Sequence, residues 1–181
     1  MGGKDGKFPS FRPCERFGPS LSFPNISQKR NCLPMQIGKK LPAFKLADHR
    51  NVITDIYELK SDKNLVVYFY PKNESKICTA ESCRFRDLYQ EFTDADTVVV
   101  GVNNSMPYQI KSFKENHRLP FTLLSDPGLA VHKLFDVPAY FGITGRETFV
   151  FDREGVLVYR FNSFFNGQKH ATSALKKLTG K

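Results

Sequence analysis

Residues 65–92 read LVVYFYPKNESKICTAESCRFRDLYQEF, and this stretch contains the two signals that decide the fold. The run at 65–70 is almost entirely apolar and aromatic, which is typical of a strand covered on both faces. From Phe85 to Phe92, apolar residues recur at the i, i+3, i+4 and i+7 spacing of one helix face. We therefore predict a buried strand followed by an amphipathic helix over 81–92.

Strand and helix signals continue to alternate along the rest of the chain. Ser105 can cap a helix whose first turn contains Pro107, and the turn formers of 126–128 close a later strand. Alternation that ends in a hairpin and a terminal helix predicts an α/β fold, with a central mixed β-sheet and helices on both faces. The further predicted elements are strands at 98–102, 121–124, 148–151 and 156–161, and helices at 107–117, 129–135 and 168–178.

The net charge of +9 is concentrated in the N-terminal part of the chain. Residues 1–40 contain eight Lys or Arg residues against two acidic ones, and Gly and Pro interrupt every pattern there. We predict a disordered basic extension over 1–35 and a single folded domain over 36–181. The composition of the extension is typical of an organelle transit peptide, while a plain cytosolic tail or a cloning remnant would read the same way.

Several classes of protein are excluded by composition. No apolar run is long enough to cross a bilayer, so no membrane insertion is expected. The basic excess lies in the extension and no reader motif accompanies it, so no nucleic-acid partner is expected. Without a secretory signal, we expect a reducing compartment, where a close cysteine pair is catalytic, redox-sensing or metal-binding rather than structural.

Cys78 lies between the buried strand and the amphipathic helix, at the predicted helix start. Backbone N–H groups at a helix N-terminus have no partners within the helix, and with the helix dipole they favour an anion. A cysteine there is expected to be a reactive thiolate. A thiolate that attacks an O–O bond becomes a sulfenic acid, which a second thiol can convert to a disulfide.

Cys83 lies five residues after Cys78. In an intact helix this spacing corresponds to roughly 7.5 Å of rise and about 140° of rotation. Because a disulfide needs α-carbons within about 6.8 Å, the two sulfurs cannot join while the helix is folded. If they pair, the first turns must unwind, which would make the cycle a local order–disorder switch.

The stretch Pro71-xxx-Ser75-xx-Cys78, followed by Thr79 and Glu81, resembles the active-site motif of the peroxiredoxins. The CxxxxC spacing is similar to that of the peroxiredoxin Q or bacterioferritin comigratory protein branch. This resemblance extends over about 36–179 and implies a thioredoxin-like fold. Further matching stretches are Phe85-Arg86-Asp87, Leu123-Leu124-Ser125-Asp126 and Gly145-Arg146-Glu147-Thr148-Phe149.

The resemblance also implies roles for individual residues. Cys78 would be the peroxidatic cysteine and Cys83 the resolving one. Ser75 would hydrogen-bond the peroxide, Arg146 would steady thiolate and peroxide, and Pro71 would shield the pocket. The implied activity is reduction of hydrogen peroxide and alkyl hydroperoxides by a monomer that thioredoxin recycles, without metal, flavin or haem.

The chain departs from the family pattern in two places. Ser75 replaces the usual Thr and keeps its hydroxyl, whereas Lys76-Ile77 replaces the usual Pro-Gly, which leaves the rigidity of the loop open. The C-terminal region 161–178 most resembles chloroplast members, which favours a chloroplast protein over the cytoplasmic alternative.

A plainer interpretation stands beside each of these roles. Cys78 could be a buried structural thiol, Cys83 a spare thiol, Ser75 an ordinary helix cap and Arg146 a surface arginine. Glu81 fits a helix-terminus charge or an arginine partner better than a proton donor.

The cysteine pair also leaves other functions open. A non-enzymatic redox sensor would form the same disulfide, as would a protein disulfide oxidoreductase. The latter is weakened by the absence of CxxC spacing. The four histidines are scattered, and a zinc site with Cys14 and Cys32 would require the extension to fold back, so no metal site is expected.

Overall fold

The computed structural model describes residues 35–140 and 143–180, so the extension predicted over 1–35 lies, except for Met35, outside the described residues. A seven-stranded mixed sheet forms the centre of this region, with strands in the order β2-β1-β5-β4-β3-β8-β9. The sheet strands are β1 (Lys45–Asp48), β2 (Ile53–Asp55), β3 (Asn64–Phe69), β4 (Thr97–Asn103), β5 (Thr122–Ser125), β8 (Glu147–Phe151) and β9 (Leu157–Asn162). A separate ribbon is formed by β6 (Ala139–Tyr140) and β7 (Ile143–Thr144).

Helices cover both faces of the sheet. Alternate side chains of β3 point to opposite faces and belong to two hydrophobic clusters. Val66 and Tyr68 belong to one cluster, and Val67 and Phe69 belong to the other. The first cluster contains residues of α2 (Lys76–Asp87), α3 (Tyr89–Asp94), α4 (Pro107–Asn116) and α6 (Gly167–Thr179). The second contains residues of α1 (Ile56–Lys60) and α5 (Ala130–Leu134).

The register of β3 positions the loops that matter for function. β3 pairs in parallel with β4 and antiparallel with β8, and Phe69 lies opposite Glu147. The residue before β8 is therefore brought beside the end of β3, where the chain leaves the sheet and enters α2. As a result, Arg146 and the Pro71–Ser75 loop lie at the same edge of the sheet although some 70 positions separate them in sequence.

Each predicted element is present, with several differences; besides those described below, α1, β6 and β7 were not predicted. α2 begins at Lys76 rather than at 81, because Ser75 caps it, and the helix breaks at Leu88 to give α3. Met106, not Ser105, is the N-cap residue of α4, so that prediction was wrong. The short strands β1 and β2 were not predicted, since their mixed burial gives them no clean alternation.

The helices of the described region are short, the longest being α6 with 13 residues. None of them has the length and apolar character that a bilayer crossing requires.

Candidate active site

Cys78 is the third residue of α2, and its side chain is fully buried. Ser75 has the extended backbone of an N-cap, and its Oγ accepts the Cys78 backbone N–H at 3.4 Å. Ser75 is therefore a helix cap, one of the two roles considered for it. A hydroxyl that accepts through a lone pair still has its own O–H to donate.

Arg146, the residue just before β8, contacts the sulfur of Cys78. Its Nη2 donates to Cys78 Sγ at 3.1 Å, and its Nε donates to the carbonyl oxygen of Phe164 at 3.2 Å. The side chain is only 2% exposed, which overturns the interpretation of a surface arginine. A guanidinium in direct contact with the sulfur places positive charge beside Cys78, in addition to the N-terminal dipole of α2.

Glu81 lies one turn after Cys78 and is completely buried. Its Oε2 accepts a hydrogen bond from Nη1 of Arg146, so it is an arginine partner rather than an exposed helix-terminus charge. Burial raises the pKa of Glu81 to about 8, against the opposing effect of Arg146. The pKa of Arg146 would be lowered by its burial, but the neighbouring Glu81 and Cys78 outweigh that effect and raise it.

His170 of α6 completes this buried cluster and was missed in the sequence. Its Nδ1 lies 3.5 Å from Oε1 of Glu81, and Arg146 contacts the other oxygen, Oε2. A signal was available, because His170, Ala174 and Leu178 are four residues apart and share the core-facing stripe of α6. A histidine on that stripe could have been identified as buried, although not as a neighbour of Glu81.

A cleft of about 550 Å³ opens beside this cluster. Pro71, Ser75 and Arg146 line it, so three predicted site residues share one cavity. Much of the remaining wall is apolar and is contributed by Ile77, Ile143 and Phe164.

Cys83 is partly exposed and lines a different cleft, of about 510 Å³, between α2 and α6. Arg84, Asp87 and Lys169 give this second cleft a polar wall. Cys78 and Cys83 are both free thiols on one continuous helix. The structure thus brings Pro71, Ser75, Cys78 and Arg146 together and leaves Cys83 apart, as the helix geometry predicted for the folded state.

A metal-binding cluster was not expected from the sequence. Across residues 35–140 and 143–180, no group of three His, Cys, Asp or Glu side chains is arranged so that it could hold a metal ion.

Comparison with known proteins identifies the family of the chain. Residues 37–160 match the AhpC/TSA family. A chloroplastic peroxiredoxin Q of Populus jackii is 40% identical over 163 residues, covering 88% of this chain and 76% of the relative.

Two solved structures share the fold. Peroxidoxin BcpB of Mycobacterium tuberculosis superposes with a TM-score of 0.77 at 31% identity, over 81% of this chain and 97% of that one. The bacterioferritin comigratory protein of Xanthomonas campestris gives a TM-score of 0.68 at 26% identity, over 76% and 90%. The predicted thioredoxin-like α/β fold is confirmed, and the chain belongs to the AhpC/TSA family and, within it, to the peroxiredoxin Q group of thiol-dependent peroxidases.

Proposed function

We propose that this protein reduces hydrogen peroxide and alkyl hydroperoxides through Cys78 as the attacking thiolate. The observation that carries the proposal is the 3.1 Å contact between Arg146 Nη2 and Cys78 Sγ at the first turn of a helix. Two independent sources of positive potential, a guanidinium and a helix N-terminus, converge on one sulfur. The thiolate is the nucleophilic form, so this arrangement favours attack on an O–O bond.

The peroxide enters through the cleft between Pro71, Ser75 and Arg146. Cys78 Sγ bonds to the terminal hydroxyl oxygen, the O–O bond breaks, and the departing oxygen keeps the electron pair and takes up a proton from solvent. The guanidinium of Arg146 and the hydroxyl of Ser75 stabilise the charge on the departing oxygen, since preorganised donors act most strongly in a site sheltered from water. Pro71 limits the access of water to the sulfur.

Cys83 acts as the resolving thiol. Its sulfur attacks the sulfenic acid of Cys78, the new S–S bond forms, and water leaves with the oxygen. Because Cys78 is buried beside Arg146 whereas Cys83 lines the cleft between α2 and α6, this step requires the first turns of α2 to unwind. Thioredoxin then reduces the disulfide by exchange and restores both thiols.

Alkyl hydroperoxides are included among the substrates because of the cleft wall. Ile77, Ile143 and Phe164 offer apolar contact to a hydrocarbon chain whose peroxide end reaches Arg146. The Xanthomonas campestris protein of the comparison is described for its alkyl peroxide reduction activity. Cumene hydroperoxide should therefore be a substrate alongside hydrogen peroxide.

The protein acts in the chloroplast as a monomer. The Populus relative is named as chloroplastic, and the basic composition of 1–35 is typical of a transit peptide. Import of the full chain into isolated chloroplasts, with loss of an N-terminal segment, tests the compartment. Size-exclusion chromatography with light scattering tests the monomer, which should have the mass of a single chain.

Stopped-flow mixing with peroxide, followed by steady-state assay with thioredoxin, tests the activity and the cysteine roles. Cys78→Ser should abolish turnover, while Cys83→Ser should undergo the first oxidation at the normal rate and then stall. Cys32→Ser is the matched control and should behave like the unaltered chain. Full thioredoxin-dependent turnover in Cys83→Ser would refute the resolving role, and one slow oxidation without turnover would indicate a sensor instead of an enzyme.

A further inference from the structure

His117 is the C-cap residue of α4, and it contacts the chain near both ends of α2. Its ring Nε2 lies 2.8 Å from Oε2 of Glu74, the residue directly before the N-cap Ser75. Its backbone carbonyl oxygen accepts a hydrogen bond of 2.9 Å from Nη1 of Arg86, in the last turn of α2. We call these two contacts of His117, with Glu74 and with Arg86, the His117 clamp.

The clamp is anchored in the hydrophobic core. The ring of His117 packs edge-on against Phe113, with ring centroids 4.9 Å apart. Phe113 is almost completely buried and belongs to the same hydrophobic cluster as Cys78. The backbone N–H of His117 donates to the carbonyl oxygen of Phe113 at 3.2 Å. Because the ring is already ordered by this packing, its contact with Glu74 costs less side-chain entropy than a contact between two free surface groups.

The carboxylate of Glu74 is held at both of its oxygens. The hydrogen bond with His117, followed by the one with Asn116, holds the pKa of Glu74 below its usual value, so the group is ionised near pH 7. An ionised carboxylate can only accept, so Nε2 of His117 donates to Oε2. Nδ2 of Asn116 donates to Oε1 at 3.0 Å. The end of α4 thus fixes the side chain of Glu74.

The backbone conformation of Glu74 depends on these contacts. Its φ is +59°, in the left-handed region that residues other than glycine rarely adopt. Such a conformation persists only where the surrounding structure holds it. If His117 released the side chain, residue 74 could return to a common conformation and displace its neighbour Ser75, whose Oγ caps the backbone N–H of Cys78.

We propose that His117 is a positioning residue for the resolving step: the His117 clamp keeps the first turn of α2 folded, and its release limits how fast Cys83 reaches the oxidised Cys78. This inference rests on the proposed role of Cys83 as the resolving thiol. When Glu74 separates from His117, α2 unwinds from its N-terminus, while the Arg86 hydrogen bond keeps the other end of the helix in place.

The clamp modulates the resolving step without deciding whether it occurs. The side chains of His117 and Glu74 are 22% and 52% exposed, and ion pairs with this degree of exposure contribute little free energy. The expected effect on the rate of unwinding is therefore a few-fold.

A matched pair of substitutions separates the hydrogen bond of His117 from the packing of its ring. His117→Phe keeps a ring against Phe113 but has no donor for Glu74. In His117→Gln, the side-chain amide nitrogen falls near the position of Nε2 and keeps the donor, while the ring is lost. A histidine that serves only packing would tolerate Phe better than Gln, and the clamp requires the reverse.

Two rates are measured on the full chain. Hydrogen exchange of the Cys78 and Thr79 backbone amides in the reduced protein reports opening of the first turn, because these amides donate to the Oγ and the carbonyl oxygen of Ser75. Rapid-quench mass spectrometry after addition of one equivalent of hydrogen peroxide reports formation of the disulfide between Cys78 and Cys83.

His117→Phe should accelerate both amide exchange and disulfide formation about two- to fivefold, the range for loss of one partly exposed ion pair. His117→Gln should stay within about 1.5-fold of the unaltered chain in both measurements. Unchanged rates in the Phe variant, or an acceleration in the Gln variant as large as that in the Phe variant, would overturn the proposal.

Glu74→Ala breaks the clamp from its other side and should accelerate both rates to the same extent as His117→Phe. Combining the two substitutions should give no further acceleration, whereas a second increase of the same size would mean that His117 does not act through Glu74. Glu115→Ala is the matched control, since it removes an exposed carboxylate of α4 that pairs with Lys111 at 3.9 Å. This control should leave both rates unchanged, and an equal acceleration there would indicate a general loosening of α4 instead of a clamp.

The two measurements also separate this inference from the proposed function. Faster amide exchange without faster disulfide formation would overturn the link to the resolving step and leave the peroxidase activity standing. Absence of a disulfide between Cys78 and Cys83 in the unaltered chain would instead refute the proposed cycle. Amide exchange involves no peroxide, so it would still decide whether His117 holds α2.

Discussion

The two cysteines of α2 share one helix but occupy opposite environments. Cys78 is fully buried; Ser75 Oγ accepts its backbone N–H, and the guanidinium of Arg146 contacts its sulfur. Cys83, less than two turns later, is partly exposed in a polar cleft between α2 and α6. The first turn of α2, next to Cys78, is also tightly packed against α6. Gly167 of α6 lies so close to Ile77 that an added Cβ would come within 2.6 Å of the Ile77 carbonyl oxygen.

This difference indicates that the first turn of α2 serves two opposing requirements. In the proposed cycle, contacts that hold Cys78 next to Arg146 favour the reaction with peroxide, and the same contacts must be lost before Cys83 can reach the oxidised sulfur. Stabilising the turn should therefore slow disulfide formation, and loosening it should weaken the peroxide reaction. Variants at this end of the helix should affect the two steps in opposite directions.

Removing Arg146 should have the largest effect. Among the described residues, Arg146 provides the only guanidinium in contact with the sulfur of Cys78. Arg146→Met removes this group and leaves Glu81 buried without its charged partner. The second-order rate of peroxide reduction should fall about 100- to 1000-fold, the range for loss of one preorganised charge-stabilising donor. Arg153→Met, at an exposed arginine paired with Asp96, is the control and should react normally. A loss below tenfold at Arg146 would remove the contrast between the two cysteines.

The buried Glu81 should make stability depend on pH. Its folded-state pKa of about 8 is above its usual 4.5, so between these values the folded protein retains a proton that the unfolded chain has lost, and stability decreases as pH rises. His170, lowered from 6.5 to about 4, acts in the opposite direction between those pH values. The net decrease should lie between pH 6.5 and 8 and amount to about 2 kcal/mol.

Urea unfolding at pH 6.5 and pH 8 measures this dependence. Glu81→Gln should lose most of the slope, because the amide does not titrate. An unchanged slope in that variant would show that Glu81 is ionised throughout the range.

Gly167→Ala should loosen the contact between α6 and the first turn of α2. The added methyl group meets backbone at Ile77 and the Glu81 Cβ at 3.0 Å, and crowding of this kind costs about 1 kcal/mol or more. Formation of the Cys78–Cys83 disulfide should accelerate about fivefold, and the peroxide reaction should slow. Gly128→Ala, where nothing lies within 4 Å of an added Cβ, is the matched control. Slower disulfide formation in Gly167→Ala would contradict the unwinding step.

Lys76→Pro should have the smallest effect and the opposite sign. Lys76 is the first residue of α2, where proline is favoured, and Ser75 already has the extended backbone that precedes a proline. Stiffening the turn by about 0.4–1 kcal/mol should slow disulfide formation two- to fivefold. Lys76→Ala separates the loss of charge from the effect of the ring. Rapid-quench mass spectrometry of the oxidised chain follows both variants, and equal rates would indicate that this residue does not limit unwinding.

Much of the fold was predictable because its signals are local. The run at 65–70 predicted β3, the heptad-like spacing of α6 predicted the terminal helix, and both appear within one residue of the expected bounds. The helix break at Leu88 was not predictable, since Phe85, Leu88 and Phe92 continue one apolar stripe across it. β1 and β2 were missed because such short strands are stabilised by pairing with neighbours rather than by their own pattern.

By itself, the sequence identified Cys78 as the candidate nucleophile, placed it at a helix start and predicted its separation from Cys83, because helix geometry fixes the relation between residues five apart. Only the tertiary structure decided which charges surround that nucleophile. The antiparallel pairing of β3 with β8 brings Arg146 to α2, and the packing of α6 brings His170 there. Arg146 is 68 residues from Cys78 and 65 residues from Glu81 in sequence. Burial then raises the pKa of Glu81, and burial is a property of the assembled core that no local stretch of sequence contains.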